Sequence, residues 1–105
     1  MPNYLLAFHG GGMPESEKEQ ARVMAAWGKW YTKLGKAVVD PGAPVGQAKS
    51  IASTGRITNG GGRNPVSGYT IISAKDIATA AKLAKGCPIL KSGGSIEVAE
   101  TFSMM

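Results

Sequence analysis

The single histidine of this 105-residue chain, His9, stands in "LLAFHGGG", between an apolar run and three glycines. An imidazole exchanges protons near neutral pH, so a histidine at a strand end is a candidate general acid or base. A second residue must orient such a ring. Asp40, at the end of the run "KAVVD", and Glu97, in "GSIEVAE", are the carboxylates placed to do so. Tyr69, which opens "YTIISA", adds a phenol able to hydrogen-bond a ligand. Each has a structural alternative. His9 can bond loop backbone at a strand terminus, and Asp40 can start the turn "DPGAP" through its own side chain. Glu97 can pair with a lysine, and Tyr69 can pack across a subunit interface.

Other chemistries fit less well. "HGGG" matches the oxyanion loop of some esterases, but no G-x-S-x-G accompanies it. "NGGGRN" offers backbone N–H groups and Arg63 to an anion without the helix that normally completes such a cradle, and reads as a hairpin tip. Cys87, flanked by Gly86 and Pro88, has no base beside it and reads as a small buried hydrophobe. A lone cysteine builds neither an internal disulfide nor a cysteine zinc site. No His, Cys, Asp and Glu cluster has metal-ligand spacing, and no cofactor is implied.

Period-two and period-3.6 patterns define the elements that must carry these residues. Residues 3–9 form a strand with Tyr4, Leu6 and Phe8 on one side and Asn3, Leu5, Ala7 and His9 on the other. A helix starts between Pro14 and Ser16, where Ser16 and Glu19 make a capping box, and runs to about Leu34. Val23, Trp27, Trp30 and Leu34 set its inner stripe, widened by Ala26 and Tyr31. Residues 36–40 are a short strand, 47–53 a weaker one, and 54–68 a turn or hairpin. Residues 69–74 form the clearest strand. Asp76 caps a second helix reaching Lys85, with Ile77, Ala80, Ala81 and Ala84 inward. Residues 94–102 end the order as a strand with Ser95, Glu97 and Ala99 on one side.

This is a split β-α-β arrangement over one domain, 1–105: an α+β, ferredoxin-like βαββαβ fold. Right-handed crossovers put both helices on one face of the sheet. The other face carries Leu5, Ala7, His9, Tyr69, Ile71 and Glu97, a mixture that wants cover yet holds polar groups. The expectation is a homodimer whose sheets meet face to face, with a pocket for a small polar molecule between or beside them. A ligand- or protein-binding module without catalysis is the competing reading.

The stretches "YLLAFHGG", "VVDPGAPVG" and "SGYTIISAKDIATAAKLAKGCPILKSGGSIEVAE", with the long helix between the first two, resemble the YCII-related family, including its DGPF-type branch. The resemblance spans nearly the whole chain. It implies a dimeric α/β barrel. Some members pair an aspartate with a histidine of the first helix; here that helix has no histidine, and "GGGRNPVSG" stands where DGPF would be.

The net charge of +5 is spread over 12 Lys/Arg that never occur three in a row, which describes a solvated surface. RNA-recognition domains share the fold, but "SGYTIISA" keeps only Gly68 and Tyr69 of their stacking strand. Nucleic acid is therefore not expected as a partner. Only Tyr4 to Phe8 form an apolar run at the N-terminus, so neither a membrane span nor a signal peptide is expected. With one cysteine, a cytoplasmic protein is the expectation.

Overall fold

The computed structural model describes residues 1–11 and 16–103. Six strands and two helices follow in the order β1 (Asn3–His9), α1 (Glu17–Leu34), β2 (Val38–Pro44), β3 (Lys49–Ile51), β4 (Ile57–Asn59), β5 (Val66–Ser73), α2 (Ile77–Ala84) and β6 (Ser95–Glu100). Four of them form an antiparallel sheet in the order β2-β5-β1-β6, while β3 and β4 make a separate ribbon. This is the expected α+β, ferredoxin-like arrangement.

Alternation decides which face each strand buries. Tyr4, Leu6 and Phe8 of β1 are buried, as are Gly68, Thr70 and Ile72 of β5, and Ile96 and Val98 of β6 pack against the same core. Asn3, Leu5, Ala7 and His9 point the other way and stay partly open, as do Tyr69, Ile71 and Ser73. Both helices lie on the first face. Ser16 caps α1 by accepting the Glu19 N–H, and Gly35, at φ +54°, ends it by donating to Tyr31 O. Pro14 lies outside the described residues. Asp76 caps α2 by accepting the Thr79 N–H at 2.8 Å, and the Thr79 hydroxyl together with that N–H holds its carboxyl below the ordinary range.

The helix stripes are narrower than periodicity suggests. In α1, Trp30 and Leu34 are buried, Val23, Trp27 and Tyr31 are half-buried, and Ala26 is exposed. In α2, Ala80 and Ala84 are buried and Leu83 packs against the core, while Ile77, at the start of this short helix, is 52% exposed. Trp30 Nε1 donates to Leu83 O at 3.0 Å and ties the helices together.

Three boundaries differ from the sequence reading. Residues 36 and 37 belong to a 3₁₀ turn, and β2 continues past Asp40 to Pro44 through two shifts of register against β5. Pro41 is tolerated there because β2 is an edge strand. The strand containing Tyr69 begins earlier, at Val66. Residues Pro88–Ser92 form a 3₁₀ turn, with Gly93 at φ +82° closing it. The β3–β4 ribbon stands away from the core, with Ile51 and Ile57 paired and mostly exposed. The Cα radius of gyration, 15.1 Å, accordingly exceeds the roughly 13 Å of a compact chain this size. Among the described residues no helix is long and apolar enough to cross a membrane.

Cys87 is buried, and burial pushes its thiol up to about 11, only partly countered by the Ile89 backbone N–H. A thiol raised from about 8.5 in the unfolded chain stabilises the fold fully below that value, and the contribution fades as pH climbs towards the folded one. The native protein should therefore resist iodoacetamide at pH 8 and react at the free-thiol rate in denaturant. Equal rates would place Cys87 outside the core.

Candidate functional site

β1 delivers His9 to the rim of the sheet, where a register shift against β5 pairs it with Val66 rather than Ser67. Its imidazole is largely shielded, with 14% of the side chain exposed. Nδ1 lies 2.9 Å from the carbonyl oxygen of Asn64, in the loop between β4 and β5. A carbonyl only accepts, so this bond fixes a proton on Nδ1. Nε2 lies 3.6 Å from Glu97 Oε1, too long for a hydrogen bond, and is buried without one. Both neighbours are acceptors. The loop-backbone bond foreseen as the structural alternative for His9 is present, and so is the carboxylate foreseen for the functional one.

Glu97 sits on β6 opposite Ala7, and Tyr69 sits on β5 opposite the same Ala7. Ala7 thus stands between Tyr69 and Glu97, with His9 two residues further along β1. Glu97 is 72% exposed along its side chain, and its Oε1 lies 3.6 Å from the His9 ring. Leu5, Ile71 and Ala99 supply apolar surface around this group on the same uncovered face.

Asp40 is not part of it. β2 is separated from β1 by β5, and Asp40 pairs with Ile71, whose partner on β1 is Leu5. Its Oδ1 accepts the Gly42 N–H at 2.8 Å, the turn-forming role open to an aspartate before Pro-Gly. The reading of Asp40 as the orienter of His9 is thereby corrected: the strand order puts the two at different rows of the sheet, and the carboxylate already has a partner.

No protein-family model matches the chain, and no curated protein matches it either. Among the described residues no three His, Cys, Asp or Glu side chains gather as a metal site requires.

A concavity lies on the opposite, helix-bearing side. A recess of about 650 Å³ opens between the N-terminal half of α1 and the β2–β5 end of the sheet. Trp27 and Tyr31, read from the sequence as core, form part of its wall with Phe8 and Val23. Tyr31 is held there by its hydroxyl, which shares Pro41 O (3.2 Å) and Thr70 Oγ1 (2.9 Å). Helical periodicity marks which residues face inward but not how far a helix axis stands from its sheet, so the recess leaves no clear sequence signal.

Proposed function

We propose that this chain works as a homodimer of the YCII-related type, a dimeric α/β barrel in which the uncovered sheet faces of two copies meet. The pocket so formed binds a small polar molecule. Glu97 and Tyr69 contact the ligand, and His9 exchanges a proton with it where binding leads to turnover. The observation that carries this reading is the grouping of His9, Glu97 and Tyr69 around Ala7 on a face that also exposes Leu5 and Ile71. A single sheet with one bare, partly apolar face is stabilised by a partner layer. The competing reading, a binding module without turnover, is favoured by one specific feature: Nδ1 of His9 is already committed to Asn64 O.

Light scattering after size exclusion tests the assembly. The chain of 10.9 kDa should run at twice that mass, and Ile71→Asp, which places a charge at the centre of the face, should run at the single-chain mass. A wild-type monomer at micromolar concentration would remove the proposal. His9→Ala tests the site itself. Losing one exposed backbone bond should lower stability by about 1 kcal/mol and leave the dimer intact. A collapse of the fold in this variant would assign His9 to structure alone.

A further inference from the structure

We infer that the recess beneath the N-terminal half of α1 is a second binding site, built for an uncharged aromatic molecule carrying a hydrogen-bond acceptor. It lies on the helix side of the sheet and within one chain, so it does not depend on the dimer.

Its volume of about 650 Å³ is that of a pocket for a drug-sized ligand. The charge pattern identifies the class. The chain holds 12 Lys/Arg and 7 Asp/Glu, yet among the described residues none of them lines this recess. An ion entering it would lose its water and find no counter-charge, which is costly. The walls are aromatic. Phe8 meets Trp27 edge-to-face with ring centroids 5.3 Å apart, and Trp27 lies 6.0 Å from Tyr31 at an interplanar angle of 33°. Rings held this way present edges and faces to a further ring, which prefers such offset contacts.

The polar groups set the orientation. The Tyr31 hydroxyl is committed to Thr70 and Pro41. The Trp27 indole N–H has no hydrogen-bond partner among the described residues, and Gln20 brings an amide to the rim. A ketone or ether oxygen on the ligand answers the indole donor. Pro41 and Gly42 close the far side with backbone rather than bulky side chains, so a flat molecule fits between β2 and α1.

The test uses three probes of one ring system: 2-acetylnaphthalene, naphthalene and 2-naphthoate, titrated against the intact protein by calorimetry and tryptophan fluorescence. The ketone should saturate in the micromolar range and the carboxylate should bind at least about tenfold more weakly. Val23→Trp, which fills the recess from α1, should weaken the ketone by about tenfold or more. Pro44→Phe, at an exposed position of β2 that pairs with Gly68 on the helix-facing side, blocks the same space and serves if Val23→Trp melts early. Trp27→Phe keeps one aromatic ring and removes the donor, so it should weaken the ketone several-fold more than it weakens naphthalene. The inference fails if 2-naphthoate binds as tightly as the ketone, if no probe saturates below about 1 mM, or if folded Val23→Trp and Pro44→Phe both bind like the wild type.

Discussion

Leu6→Ala is expected to lower the unfolding free energy by about 2–5 kcal/mol. Leu6 is wholly buried on the central strand β1, between Thr70 of β5 and Val98 of β6, and faces both helices. Removing its isobutyl group takes away the transfer energy of the buried carbons and leaves a void that the two flanking strands cannot close. A domain of this size is stable by roughly 5–15 kcal/mol, so the loss is a large share of the whole. Leu5→Ala is the matched control: same strand, same deleted atoms, opposite face. In a single chain Leu5 is only partly covered, and its truncation should cost much less. If two copies meet through this face, the Leu5→Ala penalty instead grows with protein concentration, because the covered surface belongs to the dimer. Urea midpoints at constant m measure both. A Leu6→Ala loss below about 1 kcal/mol would mean that the core is not centred on this residue.

The pair Leu5 and Leu6 also shows what a reader of the chain can extract. Period-two alternation assigns them to opposite faces without any knowledge of the fold, because a strand has no other choice. The same rule puts Tyr69 and Glu97 on the face of His9, and the capping residues Ser16 and Asp76 mark the helix starts through the bonds their side chains make. Asp40 is different. Which strands adjoin β1 is decided by how the crossovers pack, and β5 comes between β1 and β2. Nothing in "KAVVDPGAP" itself carries that order. The proline there also suggests a stop, whereas an edge strand absorbs it by shifting register. The His9–Asn64 bond spans 55 residues and joins a strand end to the loop between β4 and β5, a contact beyond the reach of local patterning.

Gly42→Ala should be the most disruptive single methyl that can be added to β2. Gly42 holds φ at +73°, and a Cβ built there would come within 1.8 Å of the Tyr69 carbonyl oxygen and 2.6 Å of its carbon. Two penalties combine. A residue with a side chain resists this conformation, at about 1–3 kcal/mol. The overlap is with backbone, which cannot swing aside as the end of a flexible side chain can. Relief requires β2 to move off β5, and the pairing of Ala43 with Tyr69 is the first to go. That pairing positions the strand carrying Tyr69, and the same stretch of β2 walls the recess under α1. The variant should therefore melt well below the wild type and lose affinity for 2-acetylnaphthalene. His9 and Glu97, on the other side of β5, should keep their backbone chemical shifts. Gly46→Ala provides the comparison, since a Cβ there meets nothing within 4 Å and its φ is not in the left-handed region. If Gly42→Ala and Gly46→Ala melt together, β2 is not seated against Tyr69 as described. The recess would then lose the wall that gives it its shape.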